Sequence, residues 1–511
     1  MTVKKILSAH TLVFFLGCLS SFSLPPYNLI FINFFSYSLF LYLIIYFKEN
    51  NLSKKNFFLI GFVFGYGYFI SSLYWISHSL SFDPQLYFLK PFAIFGIPIL
   101  LSIFYGLSIL LIHSFIKKNY LFLLIFSISL ASFEYFRGFV FYKFPWNLIV
   151  YSLSSSLESI QILKFIGTYS LNFLCIFIFS IYFLCFQSFH IKKFLLITLI
   201  NLFIISSNFI LGSFLIHNSQ THTIDEFKIR VIQPNVNILD TLGYSNENKN
   251  ILRLLSLSKV QKNQKYLIVW PEGMLQETKI SEFSIYKKYF NHNFSVNNFV
   301  IIGGINSVLN AKKPNYFNSM ALVDHDAKIL NVYNKITLVP FGEFIPFENL
   351  LSRFKLKKIT FGYSSFSSGT VREEIKLFNN TFLPLICYEV IFSGDLNPSK
   401  KKYDFIINIS EDGWFGNSIG PYQHLNQIVF RAVEEGKPIV RSANKGVSAF
   451  ISPNGQVLKS IDLNSSGFFD LNLTILTKPT LFSQYGNLIF YFIILLSVIV
   501  VLFIKKLNKN E

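Results

Sequence analysis

The sequence predicts a polytopic α-helical membrane domain of about eight transmembrane helices, joined to an α/β sandwich domain. Three observations predict it. The 511 residues are 52% hydrophobic, with 62 Phe and only 14% charged side chains, and the mean hydropathy is +0.46, which is the balance of a membrane protein. The apolar residues are unevenly spread: residues 1–216 and 488–504 hold long uncharged runs, while 225–480 reads like an ordinary globular domain. Within 225–480, short apolar runs that close on turn residues alternate with stretches of helical spacing.

A transmembrane helix needs about 17 to 25 mainly apolar residues. Eight stretches qualify: 6–22, 29–47, 57–76, 91–115, 120–136, 165–189, 194–216 and 488–504. The chain is therefore divided into a membrane domain, 1–216, with seven helices, a catalytic domain, 225–480, and a closing helix, 487–505. Lys4 and Lys5 before the first stretch resemble the start of a signal peptide, and "FFLGC" (14–18) resembles a cleavage box. Phe15 fits that box poorly and an apolar hairpin follows at once, so the first helix is read as retained. Lys4/Lys5, Lys48/Lys54/Lys55, Lys117/Lys118, Lys192/Lys193 and Lys505/Lys506/Lys509 fall on alternate loops, and the opposite loops carry only scattered charges such as Lys90 and Lys143. Cytoplasmic loops collect Lys and Arg. Both termini are then cytoplasmic and 217–487 lies outside, which in a bacterium is the periplasmic side of the inner (plasma) membrane. These clusters carry much of the formal net charge of +18. No basic stripe interleaved with aromatics and no nucleic-acid motif occurs in the globular part, so nucleic acid is not expected as a partner.

In the globular part, "KIRVIQPNV" (228–236) reads as a strand, "YLIVWPE" (266–272) as a short apolar strand closing on Glu272, and "NFVIIGGIN" (298–306) as a strand ending in Gly303 and Gly304. "SMALVD" and "KILNVYNK" form a hairpin turning at Asp324 to Asp326 and ending on Lys335. "TFLPLICYE" and "DFIINISED" are buried strands, "HLNQIVFRAVEEG" is helical, and "IVRSANKG" and "VSAFISPNG" pair. Such alternation indicates an α/β sandwich with covered sheets.

Glu272, Lys335 and Cys387 all fall at or just beyond strand ends, where layered α/β folds place reactive groups. Cys387 is the single cysteine of the globular part, so it is no structural staple there. Each residue alone has a plainer reading: a solvated loop glutamate, an exposed lysine, a cysteine acting as a small hydrophobe. Together they are complementary. A carboxylate can take the thiol proton, and an ammonium with the N–H of Tyr388 can hold an oxyanion. A Ser–His device is less supported, since no Gly-x-Ser-x-Gly occurs and His424 has no evident partner. His325 between two aspartates reads as a solvated turn, and neither metal nor cofactor is implied.

"WPEG" (270–273), "YNKITLVPFGEFIPF" (333–347), "CYE" (387–389), "WFGNSIGPYQH" (414–424) and "RSANKGVSAFISPNG" (441–455) resemble the carbon–nitrogen hydrolase (nitrilase) superfamily and, within it, the apolipoprotein N-acyltransferase family. "FEYFRGFVFYKFPW" (133–146) resembles that family's membrane segment. The resemblance implies an α-β-β-α sandwich with a Glu272–Lys335–Cys387 triad, and a supporting set of Glu343, Tyr388, Glu389 and Trp414. It implies transfer of the sn-1 acyl chain of a phospholipid, typically phosphatidylethanolamine, through a Cys387 thioester to the α-amine of a diacylated apolipoprotein. A membrane-anchored amidase using water, and a transporter or sensor with a decayed sandwich, are the rival readings. Nothing in the sequence calls for more than a monomer. Both substrates are lipids, and extracting an acyl chain costs about 0.8 kcal/mol per methylene, which explains a reactive domain tied to helices. Phe341, Phe344 and Phe347 are read as lining a lipid cavity or as core, and Glu134 with Arg137 as a pair or as a phosphate contact. "SEDGWFG" departs from the family's usual Asn-Asp-Ala before the tryptophan, adding Glu411 and Gly413, and "NILDTLGY" lacks the tryptophan usual after "VIQPNV".

Overall fold

A computed structural model describes all residues except 1–2, 117–119, 141–142, 187–189, 262, 310–313, 347–357, 359–364, 399, 477 and 508–511. Lys117, Lys118, Phe347 and Lys509 thus lie outside the described residues. The chain forms two compact units: Met1–Ser77, Phe88–Asn218 and Thr480–Glu511 make one, His78–Tyr87 and Ser219–Pro479 the other. Residues 78–87, expected to belong wholly to the membrane half, are integrated into the sandwich unit instead.

The first unit is helical. Among the described residues, seven helical stretches are long and apolar enough to cross a membrane: Phe31–Glu49, Lys54–Ser81, Pro84–Phe115, Tyr120–Phe139, Leu163–Cys185, Ile191–His217 and Leu488–Leu507. They cover seven of the eight predicted spans. The first predicted span is a helix too, Val3–Ser21. It packs closely on the third helical segment, because a Cβ at Gly17 would collide with the carbonyl of Phe64, and one at Gly67 with that of Phe14. Small residues let helix backbones approach in this way. Glu134 and Arg137 do not bond each other. Glu134 accepts from Tyr105 (2.6 Å) and Asn172 (2.5 Å). Arg137 Nη1 donates to the carbonyls of Phe144 (2.7 Å) and Trp146 (2.9 Å), and its guanidinium lies 5.0 Å from the Phe69 ring centre.

The second unit is the sandwich. Its strands are β1 (Thr221–Gln233), β2 (Tyr266–Val269), β3 (Asn298–Leu309), β4 (Pro314–Val323), β5 (Ile329–Asn334), β6 (Ile375–Leu377), β7 (Asn380–Ile386), β8 (Phe405–Glu411), β9 (Ile439–Asn444), β10 (Ser448–Ile451), β11 (Val457–Ile461) and β12 (Gly467–Leu476). They form two six-stranded sheets, ordered β12-β1-β2-β3-β4-β5 and β11-β10-β9-β8-β7-β6. Both repeat one pattern. In each, a parallel trio (β1-β2-β3 or β7-β8-β9) carries one antiparallel strand on one side and two on the other. The sheets are stitched face to face by Ser442 Oγ donating to the Ile232 carbonyl (2.7 Å) and Ser448 N–H donating to Gln233 (2.9 Å). Outside the first sheet, the helix Tyr244–Leu257 buries Ile251, Leu254 and Leu255 in a core with Ile232, Ile268, Trp270, Val300 and Ile302. On the second, Gly420–Glu435 is buried along nearly its whole length. Strands β2, β8 and β9 are buried at every position and so covered on both faces, as parallel sheets generally are.

Candidate active site

The parallel strands deliver the reactive groups. Glu272 follows β2 by three residues, Cys387 follows β7 directly, and Glu411 ends β8. Gly303 in β3 makes room for Glu272, since a Cβ there would stand 2.9 Å from the Glu272 Cα and 2.9 Å from Ile409 Cδ1 of the other sheet. Lys335 follows β5, and its N–H donates to the Asn318 carbonyl (2.8 Å), which sets Asn318 of β4 opposite it.

These groups converge on one buried cluster. The Lys335 ammonium lies 2.9 Å from Glu343 Oε1 and 3.6 Å from Glu272 Oε1, with the lysine 1% exposed. Asn318 Nδ2 donates to both of those oxygens at 2.6 Å. Glu272 Oε2 accepts the Glu411 N–H (2.9 Å) and Glu343 Oε2 the Val339 N–H (2.7 Å). Burial raises the Glu272 carboxyl above the ordinary glutamate range, against the pull of Lys335. Burial alone would strip Lys335 of its proton, but Glu343 and Glu272 outweigh it and hold the ammonium charged. The Cys387 thiol is pushed up by burial and by the Glu272 charge, against Lys335. The resting group is therefore a thiol, with both a base and a cation acting on it.

Cys387 has φ +49°, in the left-handed region, which costs a residue with a Cβ about 1 to 3 kcal/mol. What holds it there lies behind it. Its carbonyl accepts from Asn408 Nδ2 (3.5 Å). Asp412 binds Ser410 Oγ (2.7 Å), His424 Nδ1 (3.1 Å) and Arg441 Nη2 (2.5 Å), and Arg441 Nη1 reaches Asn408 Oδ1 (2.5 Å). All five of these side chains are fully buried. Arg441 holds the Asp412 carboxyl well below the usual range, against burial, while burial and Arg441 together keep His424 neutral. His424 thus has the partner that the sequence did not disclose. Its place is structural, beneath the nucleophile.

The supporting residues separate by position. Glu343 touches Lys335 directly. Glu389 does not face that cluster: its Oε1 accepts from Tyr333 Oη, Arg372 Nη2, Ile336 N and Thr337 N, and its Oε2 from Ile386 N. Burial would raise this carboxyl, but Arg372 and the Ile386 N–H hold it below the ordinary range. Tyr388 is the second residue of the 3₁₀ turn Cys387–Ile391, its ring edge-on to Phe392 at 5.2 Å. Trp414 is half-buried, not core, and meets Phe82 edge-on at 5.2 Å. Phe341 is exposed and Phe344 half-buried. The Glu411 departure closes on itself: its Oε1 accepts from Gly413 N (2.8 Å) and its Oε2 from Asn444 Nδ2 (2.6 Å). Among the described residues, no group of three or more His, Cys, Asp or Glu is placed to hold a metal.

Comparison with known proteins follows this division. Residues 16–181 match the apolipoprotein N-acyltransferase N-terminal domain, and 228–477 match the carbon-nitrogen hydrolase domain. The apolipoprotein N-acyltransferase of Rhodopseudomonas palustris is 30% identical over 96% of this chain and 94% of its own length. The chain belongs to the apolipoprotein N-acyltransferase family. The Rickettsia prowazekii member is 35% identical, covering 88% of each chain. A solved CN-hydrolase superfamily protein of Xanthomonas campestris aligns with 49% of this chain and 91% of its own, at 14% identity and a TM-score of 0.35. Family membership makes this chain an acyltransferase with a nitrilase-type sandwich.

Proposed function

We propose that the protein completes lipoprotein maturation by moving the sn-1 acyl chain of a phospholipid, phosphatidylethanolamine in the first instance, to the α-amine of an S-diacylglyceryl cysteine at an apolipoprotein N-terminus. Glu272 takes the Cys387 proton as sulfur attacks the ester carbonyl. Lys335 and the N–H of Tyr388 stabilise the oxyanion. The lysophospholipid oxygen leaves with the proton from Glu272, and the chain stays on Cys387 as a thioester. The acceptor amine then attacks, Glu272 takes its proton, and the sulfur departs to be reprotonated as the amide forms. Glu343 fixes Lys335, and Trp414 with Phe82 shapes the approach. The lysine bias of alternate loops supports an inner-membrane protein with cytoplasmic termini and a periplasmic sandwich.

One observation carries the reading. A base, a cation and a thiol meet in a single buried cluster, in a chain whose helical half also matches the acyltransferase family. A water-using amidase has no need of that half. The test is purified protein in nanodiscs with labelled phosphatidylethanolamine and a diacylated lipopeptide. Lysophospholipid and N-acylated peptide are expected, whereas free fatty acid without acylated peptide overturns the proposal.

The pH dependence follows from Glu272. Protonated Glu272 cannot accept the thiol proton, so acyl-enzyme formation falls as pH drops through its pKa. Because burial raises that carboxyl, the acid limb of single-turnover acylation should lie above the ~4.3 of an unperturbed glutamate. A limb at or below that value would remove Glu272 from the role.

A further inference from the structure

One arginine outside the cluster joins the two arms that carry Lys335 and Cys387. Arg372 is 6% exposed and uses its whole fork. Nη2 donates to Glu389 Oε1 (2.8 Å), Nε to Tyr333 Oη (3.1 Å), and Nη1 to the carbonyls of Leu396 (2.8 Å) and Asp395 (3.1 Å). Tyr333 Oη in turn donates to Glu389 Oε1 at 2.7 Å. The positions of these partners matter. Tyr333 precedes Lys335 by two residues, and Ile336 and Thr337, whose N–H groups bond Glu389 at 2.9 and 3.2 Å, follow it. On the other arm, Glu389 lies two residues past Cys387, and its second oxygen holds the N–H of Ile386 just before it (2.9 Å). A single carboxylate therefore grips the chain on both sides of the lysine and on both sides of the cysteine. Five donors converge on it, and only Arg372 brings the charge that keeps it ionised in a dry interior.

We propose that Arg372 is a positioning residue for acyl transfer: by clamping Glu389 and Tyr333 together, its planar fork fixes the spacing between the Lys335 ammonium and the Cys387 sulfur. This rests on the reading that Lys335 holds the oxyanion formed at Cys387. Lysine cannot replace it, because an ammonium is a point donor and cannot bridge carboxylate, phenol and two carbonyls in one plane.

The test compares R372K, the double variant R372M/E389M and K335M with wild type, all as full chains in nanodiscs. Three readings are taken: acyl adduct on Cys387 from phosphatidylethanolamine without acceptor, alkylation of Cys387 by iodoacetamide, and the melting temperature. In R372K, acylation should fall about 100-fold, the cost of misplacing a catalytic group by about 1 Å, with alkylation within about 3-fold of wild type. The double variant removes both buried charges at once and should recover the melting temperature without recovering acylation. Wild-type acylation in R372K overturns the proposal, as does a double variant in which acylation returns with stability, since Arg372 would then be a stabiliser only. If R372K does not fold, the double variant decides alone. K335M keeps the two failures apart: wild-type acylation there defeats the reading of Lys335 itself.

Discussion

Cys387→Ala is expected to abolish acyl transfer and the acyl adduct together, with lysophospholipid formation falling to background. The reason is that the proposed route divides one difficult displacement into two through sulfur. With the sulfur gone, neither Glu272 nor Lys335 has a bond to form. The alanine protein should fold, because it loses a small buried atom at a position where the backbone is held by Asn408 rather than by the thiol. Intact-mass measurement after incubation with phospholipid alone reads the outcome. An adduct of acyl mass on the alanine protein would place the nucleophile elsewhere.

Asp412→Asn is expected to be the most damaging change away from the reacting groups. Asp412 and Arg441 form a buried pair at 2.5 Å with both side chains 0% exposed. Removing one charge strands the other, which costs about 3–5 kcal/mol and should lower the melting temperature by roughly 10 °C. Acylation should fall further than stability explains. Arg441 also holds Asn408, and Asn408 bonds the carbonyl of Cys387, whose backbone is left-handed. Thermal melting in nanodiscs beside single-turnover acylation separates the two effects. A variant that melts and acylates like wild type would show that the pair does not support the elbow.

Much of this architecture was written in local pattern. Lysine clusters between apolar runs marked the helices, and the strands at 266–269, 298–309, 380–386 and 405–411 stood out as apolar runs closed by turn residues. Glu272, Lys335 and Cys387 stood out because each closes or closely follows such a run. What stayed hidden depends on register between distant strands. Asn318 looked like one polar residue before an apolar strand, yet the β4–β5 pairing sets it opposite Lys335, where it bridges two carboxylates. Arg372 lies in a polar stretch without periodicity, and only the fold brings it to Glu389. His424 and Asp412 sit on different elements, so neither revealed the other. Glu389 was expected in a supporting role, and its two oxygens are spent on the frame around Lys335 and Cys387. Residues 78–87 show the limit of hydropathy alone: it registers length and oiliness, and cannot say with which unit a segment packs.

The buried, protonated state of Cys387 also bears on how the enzyme endures. Thiolates attack peroxides and foreign disulfides, so sulfur exposed as an anion is soon oxidised or capped. Here burial postpones ionisation until an ester carbonyl is in place to receive the electrons. The slowness of the idle sulfur is thus its preservation, and the sandwich carries no second cysteine that could cap it.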